Sequence, residues 1–182
     1  ILAQLDRTSS DLTIPRSSRR NQYDTYFLFT ELDMGRLRHR EDEVLNEKGE
    51  VREVFYTMSL MGPAHEREYD NSIVLTRSRY AAPADRSLRF YREYFQSDEE
   101  KQVIKRRRRY HVIYKETDFA INLDQVTTSG KGRYYLEIKS RTWSARDAEH
   151  KAELIGELLG LFNVQTENLL KLEYVDFEAK AA

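Results

Sequence analysis

Five consecutive cations, Lys105-Arg106-Arg107-Arg108-Arg109, stand between Val103-Ile104 and Tyr110-His111-Val112. Apolar flanks of this kind suit a strand, and a strand sends successive side chains to opposite faces. Lys105, Arg107 and Arg109 then share one face, with Arg106, Arg108 and Tyr110 on the other. Three further segments repeat the spacing of two: Arg38/Arg40, Arg77/Arg79 and Lys139/Arg141. If these faces converge, the sheet has a basic interior. Each unpaired buried cation would cost on the order of several kcal/mol. Such an interior must be wet, paired with carboxylates, or filled by a polyanion. A closed β-barrel with a water-filled lumen meets that condition. The matching guest is a chain of phosphates, because the guanidinium fork fits phosphate oxygens. Arg38, Arg40, Arg77, Arg79, Lys105, Arg107 and Lys139 are therefore the candidate phosphate ligands.

Two other readings stand beside this one. A charge pair at spacing two is ordinarily the solvent face of a half-buried sheet. A run of four arginines also suits an exposed patch for nucleic acid or a protein partner. Recurrence on four segments is what favours the interior reading.

Acids on neighbouring strands would serve a hard divalent cation. Asp124 in Leu123-Asp124-Gln125-Val126 and Glu137 in Leu136-Glu137-Ile138 are the best placed. Mg²⁺ is usually held by one or two carboxylates together with phosphate oxygens and water. The expected cofactor is a hard divalent cation such as Mg²⁺, with Asp124 and Glu137 as its ligands. No residue is singled out as a general acid, base or nucleophile. The chain has no Cys, and His39, His65, His111 and His150 form no pair at helical ligand spacing. A thiolate or His-rich zinc site is not expected.

The elements that would position these residues follow from periodicity. Residues 1–21 are polar, rich in Ser and Arg, and read as a loop with the end of a helix at Ile1–Leu5. Tyr23–Phe29 reads as a strand, and Arg36–Arg40 as a second after Gly35. Glu41–Glu50 reads as an acidic turn, Val51–Leu60 as a third strand, and Ser72–Tyr80 as a fourth. The segment from Pro83 to Ser97 suits an amphipathic helix. Strands follow at 103–113, Thr117–Val126 and Arg133–Ser140, with a turn at 128–132. Ser144 and Asp147 have the spacing of a capping box before the stripe Leu154, Ile155, Leu158, Leu159 and Phe162. The element after Thr166 is left open between helix and strand. This order gives an α+β fold with a mostly antiparallel sheet, in one domain spanning 1–182.

Composition narrows the partners. Lys and Arg number 30 against 31 Asp and Glu, a formal net charge of −1. That balance gives no global field for generic nucleic-acid binding, so nucleic acid is disfavoured as a partner. Cations gathered on one surface imply acids gathered on another. No apolar run approaches the roughly 18 residues of a membrane span, and no signal peptide is visible. A cytoplasmic protein without a membrane partner is the expectation. The chain opens on Ile1 rather than Met, as a fragment or trimmed chain would. A homodimer, or a place within a larger multidomain protein, is left open.

Gln22-Tyr23-Asp24-Thr25-Tyr26-Phe27, followed by Gly35-Arg36-Leu37-Arg38-His39-Arg40-Glu41, resembles the early strands of the CYTH superfamily, the triphosphate tunnel metalloenzymes. Lys105-x-Arg107-x-x-Tyr110 resembles the family's K-x-R-x-x-aromatic strand. Leu123-Asp124-x-Val126, then Gly132 and Tyr135-Leu136-Glu137-Ile138, resembles its acidic strand, turn and E-I-E strand. The similarity runs over about residues 22–165. It implies an eight-stranded antiparallel barrel with flanking helices, forming a tunnel whose basic side chains grip a triphosphate. By position, Arg38, Arg40, Lys105 and Arg107 would bind phosphate, and Asp124 and Glu137 the metal, Mg²⁺ or Mn²⁺.

The implied activity is hydrolysis of tripolyphosphate or of an organic triphosphate such as a nucleotide or thiamine triphosphate. The alternatives are a non-catalytic polyphosphate- or nucleotide-binding domain and a class IV adenylate cyclase. The family's E-x-E-x-K strand does not occur within residues 1–22, so the first strand is expected to be missing. Met61, Arg77, Arg79 and Lys139 also depart from the family pattern. Met61 stands where the family usually has a Lys, while Arg77, Arg79 and Lys139 stand where it usually has acids, which adds cations and leaves fewer metal ligands.

Overall fold

A computed structural model describes residues 11–30, 35–61, 68–69, 73–74, 78–128, 130, 132–170, 172–177 and 180–181. The main sheet contains β1 (Leu12–Leu28), β2 (Arg36–Leu45), β3 (Val51–Met61), β6 (Ser78–Pro83), β7 (Glu99–Tyr114), β8 (Thr117–Val126) and β9 (Arg133–Lys139). Its order is β6-β3-β2-β1-β7-β8-β9, and every described pairing is antiparallel. The short β4 (Glu68–Tyr69) and β5 (Ile73–Val74) pair only with each other. A last strand, β10 (Lys180–Ala181), lies beside Lys101 and Gln102 of β7. The helices are α1 (Leu88–Phe95), α2 (Ala145–Leu161) and the single turn α3 (Tyr174–Phe177). The fold is thus α+β with an antiparallel sheet. No described helix is long and apolar enough to cross a membrane.

A closed eight-stranded barrel is the expectation that needs correcting. Among the described residues, β6 and β9 end the sheet and do not pair with each other. β6 has six residues and meets β3 only between Thr57 and Met61, so it continues the ladder over a short length. The residues N-terminal to Tyr23 also behave differently from a loop. β1 begins at Leu12 and pairs with β7 throughout, with an irregularity between Thr13 and Arg16 around Pro15. Proline has no N–H for the ladder, and a register shift accommodates it. Leu12 and Ile14 face the core, which explains why so polar a segment is ordered. Residues 1–10, with the helix end expected there, lie outside the described residues.

Glu41–Leu45 belongs to β2 and not to a turn, since Asp42 points inward and the flanking acids outward. The turn is confined to Asn46–Glu50, where Asn46 Oδ1 accepts from Glu50 N at 3.0 Å and Gly49 adopts φ +87°. The fourth strand expected over Ser72–Tyr80 is divided between β5 and β6, with 75–77 outside the described residues.

Alternation gives β7 two owners. Val112 and Tyr114 point outward and join Leu12, Phe119 and Ile121 beneath Leu154 and Leu158 of α2 and the following Phe162. Val103 points inward and packs with Tyr26, Val126 and Val175 of α3. α2 starts where Ser144 Oγ accepts from Asp147 N at 3.1 Å while Asp147 Oδ2 accepts from Trp143 N at 2.8 Å. This reciprocal cap satisfies N–H groups that would otherwise lack partners. α1 is capped by Ser87 and ends at Gln96 in the left-handed region. It covers the far end of the outer face, with Phe95 edge-on to Phe27 at 5.5 Å.

Leu158 is fully buried and Leu161, three residues on, is 51% exposed. Leu158→Ala is expected to cost about 2–5 kcal/mol, as for other large-to-small core changes. Leu161→Ala should stay within about 0.5 kcal/mol. Urea unfolding followed by circular dichroism measures both, and equal losses would contradict this placement of α2.

Candidate site on the inner face

The register gathers the inward side chains into rows. Ser59, Arg38 and Tyr26 form one, and Thr57, Arg40, Asp24 and Val103 the next. Asp42, Gln22, Lys105 and Val126 follow, then Arg20, Arg107, Asp124 and Tyr135. Arg109, Asn122 and Glu137 complete the set. Directly opposed residues in a sheet have Cβ atoms roughly 5 Å apart, close enough for side-chain pairing. The inner face therefore brings cations and carboxylates within pairing distance, with Arg20 and Arg107 directly opposed.

Two buried ion-pair centres dominate it. In the first, Arg40 grips Asp24 in a fork, Nε to Oδ1 at 2.6 Å and Nη2 to Oδ2 at 2.7 Å. Lys105 Nζ adds a third bond to Asp24 Oδ2 at 3.1 Å. In the second, Arg107 donates to Asp124 through Nε at 2.7 Å and Nη2 at 2.5 Å. The same Nη2 lies 2.9 Å from Glu137 Oε2, which also accepts from Asn122 Nδ2 at 2.9 Å. Lys139 Nζ holds Glu137 Oε1 at 2.7 Å from the rim. Arg20 pairs with Asp42 at 2.5 Å, and Arg109 Nε donates to Asn122 Oδ1 at 3.1 Å.

Charge settles where these pairs allow it. Burial pushes the Asp24 carboxyl up, yet Arg40 and Lys105 outweigh it and hold the group well below the usual carboxylate range. Burial likewise raises Glu137, and Lys139 and Arg107 override it, so it too is lowered. Lys105 goes the other way. Burial pulls it down, Asp24 opposes, and the nearby Arg40 and Arg107 add to the fall, leaving it at about 7. It is the inner-face cation whose charge can change near neutrality. Burial also lowers Arg109, with Arg107 and Arg20 adding like-charge repulsion.

Two polar atoms complete the picture. Arg38 reaches Ser59 Oγ through Nη2 at a long 3.5 Å, and its buried Nε has no acceptor among the described residues. Gln22 Oε1 is buried and without a donor as well. α3 roofs this end of the face. Tyr174 Oη donates to Asp124 Oδ2 at 3.0 Å, and its ring lies 4.9 Å from Lys105 Nζ. Arg36 anchors the same turn through Asp176 at 2.9 Å.

Of the candidate phosphate ligands, Arg38, Arg40, Lys105, Arg107 and Lys139 come together on this face. Arg77 lies outside the described residues. Arg79 lies within β6, but its side chain is also outside the described set. Arg106 and Arg108 point to the outer face and are exposed, as alternation requires. Asp124 and Glu137 are inward and adjacent, and both are engaged by Arg107. Asp24, Asp42, Arg20, Asn122 and Tyr174 belong to the site and are missing from the sequence reading. The signal for Asp24 is its spacing of two from Gln22 and Tyr26, and for Asp42 its spacing of two from Arg40. Tyr174 carries no such signal, because its element is a single helical turn.

No family model matches the chain, and no curated protein matches it. Among solved structures, it is similar to the PH1819 protein from Pyrococcus horikoshii OT3, with a TM-score of 0.61 and 16% sequence identity over 90% of this chain and 84% of that one. At that identity the likeness shows a shared fold.

Proposed function

We propose that the inner face binds a triphosphate-containing ligand and that the protein hydrolyses it with a divalent metal. Support comes from the imbalance of the face. Among the described residues, Arg20, Arg38, Arg40, Lys105, Arg107, Arg109 and Lys139 stand against Asp24, Asp42, Asp124, Glu137 and the neighbouring Glu173. The carrying observation is the buried Arg38 Nε, a charged donor without an acceptor among the described residues. A buried donor of this kind is costly unless something fills it. A row of phosphate oxygens along β2 and β7 would supply acceptors to Arg38, Arg40, Lys105 and Arg107. This is the arrangement that the resemblance to the CYTH superfamily implies, with its closed tunnel replaced by an open sheet.

Asp124 and Glu137 suit a metal because they already share one positive centre, Arg107 Nη2, at 2.5 and 2.9 Å. They would hold Mg²⁺ or Mn²⁺, which would neutralise phosphate oxygens and activate water when bound. The chain's own cations orient the phosphates and stabilise charge that develops at the transferring group. The network of fixed ion pairs holds them in place before the ligand arrives.

A binding-only role is favoured by one observation: Asp24, Asp42, Asp124 and Glu137 are each already held by a cation. Phosphate release from tripolyphosphate and ATP, with and without Mg²⁺ or Mn²⁺, separates the two. A hydrolase should release phosphate only with metal, and Asp124→Asn should lower the rate at least tenfold. Tight tripolyphosphate binding without turnover would leave the binder reading and overturn hydrolysis.

Arg38→Met tests the phosphate face most cleanly. Arg107→Ala would leave the buried Asp124 without its cation, Glu137 keeping Lys139, and cost about 3–5 kcal/mol of stability on its own. Arg38→Met should weaken tripolyphosphate binding about tenfold or more, about 1.4 kcal/mol, and Arg108→Ala should leave it unchanged. Calorimetric titration reads both, and equal losses would defeat the assignment of faces.

The pH dependence follows from Lys105. With its pKa at about 7 in the empty protein, it is charged below that pH and neutral above it. An anion favours the charged form, so binding takes up a proton above pH 7. The advantage of the natural protein over Lys105→Met should be flat below pH 7 and fall as pH rises beyond it. Comparing the two proteins at each pH cancels the ligand's own ionisation. A pH-independent ratio between pH 6 and 9 would refute the placement of Lys105.

A further inference from the structure

We propose that the opposite face of the sheet carries a second site, a groove that takes a small aliphatic amine in its ammonium form between Tyr23, Glu41 and Tyr56. The groove has a volume of about 800 Å³ and lies between the outer faces of β1, β2, β3 and β7 and the residues leading into α1. Its centre is fixed by register. Glu41 stands directly opposite Tyr23 on one side and Tyr56 on the other. The half-buried carboxylate is thus flanked by two aromatic side chains that are 39% and 46% exposed. An ammonium seated there meets a carboxylate and the faces of two rings, each of which attracts a cation.

Glu43 shares the face two residues on and accepts from Asn21 Nδ2 at 2.8 Å. Burial, then Glu43 and Glu41, push the Tyr23 phenol up, which places both carboxylates close to that ring. Arg86 is the sole cation among the described lining residues, and it pairs with Asp85 at 3.5 Å. Arg106 is a second cation near Tyr23, and Glu41, Glu43 and Asp85 outnumber the two, so the groove favours a cation over the anions that suit the inner face.

His39 supplies the independent observation. It also lines the groove, yet it is only 4% exposed. Its ring touches Tyr56 and Tyr91, at centroid distances of 6.0 and 5.7 Å. Neither ring nitrogen has a hydrogen-bond partner among the described residues. The ring nitrogens are not among the fully buried polar atoms, so they open onto the groove, where a ligand can meet them. Burial pulls its pKa down, so it is neutral at physiological pH and keeps a lone pair that accepts an N–H. A primary ammonium has such an N–H to give, and a quaternary one does not.

The test uses 1,5-diaminopentane at low ionic strength, followed by calorimetry and by the ring resonances of Tyr23 and His39. Saturable binding that shifts those resonances is expected. Glu41→Gln should weaken it about tenfold, about 1.4 kcal/mol, and Glu153→Gln on the exposed side of α2 should not. The bis-trimethylammonium analogue of the same chain should bind more weakly than the amine. His39→Phe should narrow that difference to what Glu41 alone supplies, with His39→Leu used if the first variant does not fold. Absence of saturation, equal effects of Glu41→Gln and Glu153→Gln, or equal affinity of the two ligands for the natural protein would each overturn the proposal. Tripolyphosphate binding should be unchanged in Glu41→Gln, so this site and the phosphate face succeed or fail separately.

Discussion

Asp24 holds the inner face together. Its carboxylate receives the Arg40 fork and the Lys105 ammonium at once, in a place where neither cation could stand alone. Removing it would leave two buried positive charges facing each other across β1. Removing either cation would leave the other to serve the same anion. The dependence is therefore lopsided: the cations are individually replaceable and the acid is not. Buried pairs of this sort contribute little net stability, because desolvation offsets most of their attraction. What they fix is which side chains point where.

That constraint explains the lengths of β1 and β7. Each is long enough to serve two cores, an inner cluster around Tyr26 and Val103 and an outer one around Leu12 and Val112. The polar network occupies the stretch between them. A one-residue slip between these strands would send Lys105 and Arg107 outward and carry Ile104 and Arg106 in. The apolar clusters at both ends oppose such a slip. They keep the register on which every ion pair depends.

Much of this was legible in the sequence. Alternation through 103–112 divides the arginines correctly, and the capping box and Leu/Ile stripe place α2. What escaped was set by tertiary pairing. Residues 12–22 look like a polar loop because Ser and Arg mask the alternation of Leu12 and Ile14. They become a strand only because β7 is there to receive them. Glu41-Asp42-Glu43 looks like an acidic turn because three acids stand in a row. Asp42 is drawn inward by Arg20 and Gln22, which are distant in sequence. Tyr174 had no readable role, since a single helical turn has no periodicity to detect.

The open sheet has a consequence for how one copy of the protein meets another. Every sheet edge is a row of unused N–H and C=O groups, and a second chain can dock on it as one more strand. The two terminal strands are poor templates. β6 is six residues long and ends on Pro83, which has no N–H to offer. β9 is only seven residues long, so a further strand laid on it gains few ladder bonds. Short length at both ends and the missing donor of Pro83 make these edges weak templates for another strand.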